Sequence, residues 1–239
     1  ALLSLWTTLP ATAARESCAK MFPLLRQILP EMCGLGLFAA ERERSASRLL
    51  AHAGSASLLY AAAGHNYHVS LGSFFQVNRF LIDALARLVT ADEAGAFAWD
   101  LYAGVGLFSV PLARSFGEVT ALESSSSAVR DLRENLRGTK HRIVASDTSA
   151  FLRQARAKSQ PAPDLVVVDP PRAGLGREVT EALAKLRPRK ITYVSCDPAT
   201  LSRDLAALLQ SGYRLREMHL LDLFPQTFHL ETVTHLALE

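Results

Sequence analysis

One cysteine stands where a chain can produce a reactive thiol. The segment 193–200 begins in an apolar run that predicts a buried strand, and Cys196 follows that run directly. Asp197 is a typical helix N-cap and Pro198 a typical first helical residue, so a helix is predicted to begin just after the cysteine. The positive end of a helix favours the nucleophilic thiolate over the thiol. A lone cysteine is also compatible with a small buried core residue, and neighbouring motifs decide between the two.

A glycine-rich turn between a predicted strand and a predicted helix indicates a site for a nucleoside-containing cofactor. The sequence 100–109 reads DLYAGVGLFS, and Gly104 and Gly106 allow a ligand to approach the backbone closely. Ser109 replaces the third glycine of the dinucleotide fingerprint, and the leading Asp100 can meet a cationic ligand group. Both differences favour S-adenosylmethionine over a nicotinamide dinucleotide.

Carboxylates also end the neighbouring predicted strands. Glu123 suits the hydroxyls of a ribose, and Asp147 either accepts from an adenine amino group or caps the helix after it. Asp169 opens the sequence DPPR at 169–172, where the prolines make a rigid turn over the ligand cleft. Amino-directed nucleic-acid methyltransferases usually place a base-stacking aromatic residue after these prolines. Here Arg172 follows instead, and it suits a phosphate or a carboxylate.

From residue 95 onward, apolar strands alternate with amphipathic helices. The predicted strands are 96–102, 118–123, 142–146, 165–169, 191–194, 214–222 and 232–238. The predicted helices are 107–115, 126–136, 148–158, 178–185 and 199–210. This alternation predicts an α/β fold with a doubly wound, mostly parallel sheet of the Rossmann-like type. The short connection between the last two strands predicts an antiparallel edge hairpin.

The first 70 residues predict a small α+β piece ahead of this sheet. Apolar spacing predicts a helix over 14–29, interrupted by Pro23, and short strands over 34–40, 46–51 and 57–62. No internal repeat or low-complexity tract separates this piece from the remainder of the chain. Its function is not evident from its residues alone.

Two aromatic residues and two side-chain amides precede a helix predicted over 79–88. The segment 71–78 reads LGSFFQVN, and its last residue, Asn78, suits a helix N-cap. Gln76 has no comparable structural role at this junction. We therefore regard Gln76 as a candidate for ligand binding.

Composition limits the class of protein. The chain has 239 residues, of which 49% are hydrophobic, and a formal net charge of +3, which is compatible with a polyanionic partner without establishing one. Three cysteines without Cys-x-x-Cys spacing argue against a disulfide framework or a zinc site and fit a reducing cytosol. No apolar run reaches membrane-spanning length, and we expect no signal peptide. We expect a cytoplasmic, monomeric protein without metal or membrane contact.

Five motifs occur in a characteristic order, and with them the chain resembles the bacterial RNA 5-methyluridine methyltransferases. The motifs are FQVN at 75–78, DLYAGVG at 100–106, DPPR at 169–172, SCDPAT at 195–200 and FPQTFHLET at 224–232. The resemblance covers about residues 72–239. It implies a class I methyltransferase fold, S-adenosyl-L-methionine as cofactor, and ribosomal or transfer RNA as substrate.

The resemblance also implies roles for individual residues. Cys196 would add to carbon 6 of the uracil, and Glu231 would remove the carbon 5 proton. The residues implied to contact the cofactor are Gln76, Tyr102, Gly104, Gly106, Glu123, Asp147 and Asp169. The residues expected to meet the RNA are Arg172, Gln226 and His229, with Phe74, Phe75 and Phe228 as candidates to stack on an extruded base. His229 and Glu231 share one face if the strand pairing already holds at residue 229.

The chain departs from the family pattern in two respects. Leu107 stands where the family often has a polar asparagine, which removes a cofactor contact there. The small β-barrel RNA-binding domain and the cysteine-ligated iron–sulfur cluster of larger members do not appear. Residues 1–70 are similar to part of the family's central, RNA-facing domain, and 71–239 to its methyltransferase domain. We therefore expect the chain to be a piece of a longer protein.

Three other functions compete with this interpretation. RNA 5-methylcytidine methyltransferases carry a second cysteine in the motif of Asp169, where this chain has Pro170 and Pro171, so uracil is favoured. A catalytically silent RNA-binding factor with the same fold would be indicated by loss of Cys196 or Glu231, and both are present. A small-molecule methyltransferase has no need of this nucleophile and base.

Overall fold

The computed structural model describes residues 1–40, 48–158, 160–227 and 229–239. Its N-terminal part consists of β1 (Leu2–Thr7), α1 (Ala11–Ile28), β2 (Gly34–Ala39) and β3 (Leu49–Gly54). β1 pairs in parallel with the central β2, and β3 pairs antiparallel on the other side of β2. The buried cluster between α1 and this sheet contains Ala14, Cys18, Leu35, Leu37 and Leu50. The small α+β piece expected from the sequence is therefore a sheet with one covering helix.

The helix predicted over 14–29 is confirmed, with an earlier start at Ala11 and with Pro23 inside it. β1 was not predicted, because its residues show no clear alternation of apolar and polar side chains. Its place is determined by its pairing with β2, which lies beyond α1 in the sequence. The strand predicted over 46–51 falls partly on 41–47, outside the described residues.

A hairpin follows, formed by β4 (Ser57–Ala62) and β5 (His65–Ser70). Its two turn residues, Ala63 and Gly64, have φ values of 49° and 72°, the left-handed conformation that matches the twist of two-residue hairpins. β5 was not predicted, because its sequence HNYHVS is largely polar. The turn chemistry and the pairing with β4 decide its conformation.

The main sheet has seven strands in the order β11-β12-β10-β9-β6-β7-β8. Its elements are α2 (Ile82–Thr90), β6 (Gly95–Asp100), α3 (Ser109–Leu112), β7 (Phe116–Glu123), α4 (Ser126–Asn135), β8 (His141–Ala145), α5 (Thr148–Ala157), β9 (Leu165–Val168), α6 (Gly176–Leu186), β10 (Lys190–Ser195), α7 (Pro198–Gln210), β11 (Tyr213–Leu221) and β12 (Glu231–Leu238). β12 is antiparallel to both of its neighbours, and the remaining pairs are parallel. The predicted doubly wound α/β fold is confirmed. The predicted hairpin forms, but β12 is inserted between β10 and β11, so of the two hairpin strands β11 is the one at an edge of the sheet.

Helices cover both faces of the sheet, which explains the apolar composition of its central strands. All four residues of β9 (LVVV) are buried, as expected for a parallel strand packed on both sides. Two helices differ from the prediction. α3 has four residues instead of the predicted 107–115, because the glycine turn extends to residue 108, and α2 begins at Ile82 because Asn78 caps a preceding turn. Within the described ranges, no helix is long and apolar enough to cross a membrane.

A buried carboxylate attaches the β4–β5 hairpin to the main sheet. Asp131 of α4 is fully buried and accepts from Ser70 N at 2.8 Å and Ser70 Oγ at 2.6 Å. It also accepts from Ser73 Oγ at 2.6 Å and contacts His68 Nδ1 at 3.0 Å. Four polar partners offset the cost of burying one charge. The segment that leads from the hairpin to Gln76 is thereby held on α4.

We predict that Asp131→Ala destabilises the protein by about 3–5 kcal/mol, because four half-buried polar groups lose their fully buried partner. Urea unfolding followed by circular dichroism measures this change. Glu134→Ala on the same helix is the matched control, since among the described residues the exposed Glu134 carboxylate pairs with exposed Arg137 alone, and its loss costs about 0.5 kcal/mol or less. Equal effects of the two substitutions would contradict the assignment of Asp131 as the attachment point.

Candidate active site

The functional side chains named from the sequence follow one another along the carboxyl edge of the main sheet. The residues at this edge, in the spatial order of their strands from β12 to β8, are Glu231, Cys196, Asp169, Asp100, Glu123 and Asp147. Parallel strands end at the same edge, and β12, running the opposite way, begins there. All six residues therefore lie along one edge of the sheet, and we call this region the groove.

The turn after β6 is shaped for a ligand. Gly104 and Gly106 have φ values of 54° and 102°, which only glycine adopts without strain. A Cβ at Gly106 would lie 2.9 Å from Leu132 Cδ1, whereas a Cβ at Gly104 would meet no atom within 4 Å. Gly106 is therefore needed for packing, and Gly104 faces open space in which a ligand can contact the backbone.

Asp100 lies beneath this turn with one oxygen unpartnered. Its Oδ2 accepts from Ser109 Oγ at 2.6 Å, while Oδ1 is buried and has no hydrogen-bond partner among the described residues. Burial raises the pKa of Asp100 to about 7, and the charge of Glu123 adds to this shift while the hydrogen bond from Ser109 opposes it. A positively charged ligand group would stabilise the ionised form of Asp100.

A cavity of about 230 Å³ opens beside the turn, and its lining includes Tyr102, Glu123 and Asp147. Glu123 accepts from Gly104 N at 2.9 Å and from Ser124 N at 2.7 Å, so its carboxylate fixes the glycine turn and borders the cavity. Asp147 caps α5 by accepting from the backbone N–H of residue 150 at 2.8 Å, as the structural alternative predicted. It is exposed at the cavity wall, so capping leaves it accessible to a ligand.

Strand pairing brings Cys196 and Glu231 together. Ser195, the last residue of β10, is paired with Thr232 of β12, and Thr232 Oγ1 also donates to Ser195 O at 3.1 Å. The residue after Ser195 and the residue before Thr232 are therefore neighbours across the two strands. Asp197 caps α7 by accepting from the backbone N–H of residue 200 at 2.9 Å, as predicted.

Three acidic groups lie at this end of the groove, and each has a raised pKa. Burial raises the pKa of Glu231, which is 3% exposed, to about 7. Burial, followed by the charges of Glu231 and Asp100, raises the pKa of Asp169 well above its ordinary value. Burial also raises the pKa of the Cys196 thiol, with Glu231 and Asp169 adding to the shift and Arg172 opposing it. The expectation that the helix end favours the thiolate is therefore wrong for the free protein, because desolvation and two carboxyl groups outweigh it.

A buried network that was not identified from the sequence holds the DPPR loop. Asp204 of α7 is 1% exposed, and its Oδ2 accepts from Leu175 N at 2.7 Å and from the Tyr193 hydroxyl at 2.8 Å. Arg203 Nε donates to Asp204 Oδ1 at 2.9 Å. These hydrogen bonds attach the loop 169–175 to α7 and thereby fix the position of Asp169. An acidic residue on an otherwise apolar helix face was the available signal.

Asn78 joins the segment of Gln76 to the loop that precedes Glu231. Its Oδ1 accepts from Phe80 N at 3.1 Å, and its Nδ2 donates to Leu223 O at 3.0 Å. Gln76 itself is 8% exposed. Asn78 caps the turn before α2 and not α2 itself, whose N-cap is Leu81, and the structure adds a contact across 145 residues of sequence.

The residues predicted to meet RNA lie around the same groove. Arg172 is exposed, and its charge reaches Cys196. Gln226 is exposed and has a left-handed φ of 65° in the loop before β12. His229 lies in that loop with its ring centroid 6.2 Å from that of Phe224. Because β12 begins at Glu231, the pairing needed for His229 and Glu231 to share a strand face is absent at residue 229.

The three aromatic candidates have different surroundings. Phe74 is 69% exposed and remains available to a ligand. Phe75 is partly buried and packs against Tyr60 and Tyr67, with ring centroids 5.0 and 5.5 Å apart, so its ring already has stacking partners within the protein. Phe228 lies outside the described residues.

The chain is similar to known RNA methyltransferases. An uncharacterized RNA methyltransferase of Streptomyces avermitilis is 41% identical over 187 residues, which cover 75% of this chain and 42% of the relative. An uncharacterized RNA methyltransferase of Aquifex aeolicus is 34% identical over 219 residues, covering 90% of this chain and 51% of the relative. The chain thus spans about half of the length of these relatives or less.

A solved structure and a family model agree with these relatives. The Pyrococcus abyssi tRNA (uracil-54, C5)-methyltransferase, in complex with S-adenosyl-L-homocysteine, matches 89% of this chain and 53% of its own, with a TM-score of 0.71 and 29% identity. The model of the tRNA (uracil-5-)-methyltransferase family matches residues 57–238, which include every motif of the groove. This match extends over more than half of the chain, and the chain therefore belongs to the tRNA (uracil-5-)-methyltransferase family.

Proposed function

We propose that this protein methylates carbon 5 of a uridine in ribosomal or transfer RNA, with S-adenosylmethionine as the methyl donor and Cys196 as a covalent nucleophile. The observation that carries the proposal is the pairing of β10 with β12, which makes Cys196 and Glu231 neighbours beside Asp169. A thiol and a carboxyl group at one site suit a reaction that needs both a nucleophile and a base. Family membership supports the same reaction class.

The residues of the groove fit the proposed cofactor. A cationic group is suited to the unpartnered oxygen of Asp100, and the open backbone at Gly104 admits close approach. Tyr102, Glu123 and Asp147 border a cavity with the hydrogen-bonding groups that a ribose and an adenine require. When bound, S-adenosylmethionine supplies an electrophilic methyl group.

Cys196 and Glu231 divide the remaining chemistry. The Cys196 sulfur forms a bond to carbon 6 of the uracil, and the electrons of the 5,6 double bond make carbon 5 nucleophilic, with charge shared by the carbonyl oxygen at position 4. After carbon 5 has been methylated, Glu231 accepts its proton. The double bond forms again and the carbon–sulfur bond breaks, which returns the thiolate.

The electrostatics of the groove connect this chemistry to ligand binding. Asp169, Glu231 and Cys196 ionise more readily beside a positive charge, because an opposite charge favours the ionised form of each. Burial raises the pKa of all three groups in the free protein, which favours their protonated forms. Full reactivity of Cys196 is therefore expected only when the groove is occupied.

We predict that RNA containing 5-fluorouridine forms a stable adduct with the protein in the presence of S-adenosylmethionine, because fluorine at carbon 5 cannot leave as a proton. Intact-mass analysis detects the adduct. Cys196→Ala should abolish it, whereas Cys33→Ala should retain it, since Cys33 lies in the N-terminal sheet region. An adduct that survives in Cys196→Ala would exclude the proposed nucleophile.

Glu231→Gln should separate methylation from product release. With ordinary uridine RNA we expect a methylated adduct to accumulate and turnover to fall by about 10²- to 10⁴-fold, the usual contribution of a general base. Denaturing electrophoresis with methyl-labelled cofactor measures both quantities. Glu217→Gln on exposed β11 is the matched control and should leave turnover unchanged. Normal product release by Glu231→Gln would require a different base.

The stability of the free protein should depend on Asp100 between about pH 4 and pH 7. Burial raises the pKa of Asp100 to about 7 in the folded protein, whereas its pKa in the unfolded chain is near 4. The contribution of the neutral carboxyl group to the free energy of unfolding is therefore fully present below about pH 4 and is lost as the pH rises to about 7. Thermal melting from pH 5 to pH 8 should therefore show wild type losing stability relative to Asp100→Asn. Saturating S-adenosylmethionine should reduce this loss, and a difference that is independent of pH would contradict the assignment.

A further inference from the structure

Phe80 is an exposed aromatic residue close in sequence to Gln76, and the guanidinium of Arg79 lies over its ring. Phe80 is 78% exposed, and Arg79 Cζ lies 4.9 Å from the centroid of its ring. The sequence predicted both residues inside a helix, but they lie in the turn that Asn78 caps before α2. An arginine stacked on an open aromatic ring is a surface of the kind that single-stranded nucleic acids recognise.

The position of this pair connects it to the catalytic loop. The side-chain amide of Asn78 accepts a hydrogen bond from Phe80 N and donates one to Leu223 O. The chain continues from Leu223 through the loop of Gln226 to Glu231. The backbone of Phe80 is therefore connected through the Asn78 side chain to the start of the loop that precedes the proposed base, Glu231.

We propose that Arg79 and Phe80 bind an unpaired nucleotide that flanks the target uridine, with its base stacked on the Phe80–Arg79 pair. This proposal rests on the function proposed above, which requires an extruded uridine with exposed neighbours. A nucleotide matches both features of the pair, because its base has a π face and its phosphate complements the guanidinium. An apolar protein surface would match the ring alone and would bury the charge of Arg79 without compensation.

The first test is binding of a fluorescent RNA hairpin with an unpaired uridine-containing loop, followed by anisotropy. Phe80→Ala should weaken binding about 5- to 100-fold, the range for loss of one base–aromatic stack, and Phe80→Trp should retain it. Arg79→Gln should lower the slope of log K against log salt by about 0.7, the value for one contact to a single strand. Phe97→Ala, which removes a half-exposed phenylalanine from β6, is the matched control and should bind as wild type.

The second test uses 5-fluorouridine RNA in which each nucleotide beside the target is replaced in turn by an abasic one. At subsaturating RNA, Phe80→Ala should slow adduct formation on the intact RNA and have no further effect when the stacked nucleotide is abasic.

If wild type forms no adduct, the proposed function fails, while the binding test still reports on Phe80. RNA binding by Phe80→Ala equal to that of Phe97→Ala would overturn the inference. So would a lower melting temperature with unchanged binding, which would assign the surface to protein packing.

Discussion

The antiparallel insertion of β12 between β10 and β11 is the constraint on which the site depends. Parallel strands end at one edge of a sheet, so a residue at the start of a further parallel strand would lie at the opposite edge. Because β12 runs the other way, its first residue, Glu231, meets the end of β10. The nucleophile and base proposed here are thus neighbours through backbone pairing that involves residues on either side of them.

The groove concentrates acidic groups that are unfavourable when buried without counter-charge. Asp169 is affected by Glu231 on one side and by Asp100 on the other, and Asp100 is affected by Glu123. Burial raises the pKa of Asp169 and Asp100, and protonation of these two groups reduces the cost in the free protein. An environment of this kind suits a ligand with positive charge, and it makes ionisation of the reactive groups dependent on that ligand.

Three polar side chains hold the segments around the groove in place. Asp131 holds the segment before Gln76, Asp204 holds the DPPR loop, and Asn78 joins the first of these regions to the loop before Glu231. Each contact spans at least 29 residues of sequence. Such contacts replace backbone pairing in loops, where no sheet or helix determines the conformation. The precision of the groove therefore comes from side chains that touch no proposed substrate.

Much of the architecture was determined by the sequence itself. Apolar runs of strand length alternating with amphipathic helices specify a parallel sheet, and Asp197 with Pro198 specifies the start of α7, because these signals are local. The motifs at strand ends likewise identified Cys196, Asp169 and Glu123 as members of one edge. Local chemistry was sufficient wherever an element's conformation depends on its own residues.

Tertiary structure alone decided the features that depend on distant partners. The strands β1 and β5 have weak local patterns and exist through pairing. Phe74 and Phe75 are adjacent and identical in chemistry, yet only the structure exposes the first and packs the second against two tyrosines. The raised pKa of Cys196 likewise follows from its burial and then from Glu231 and Asp169, which lie far from it in the sequence. Burial and electrostatic energy depend on all neighbours in space, and a linear pattern does not contain that information.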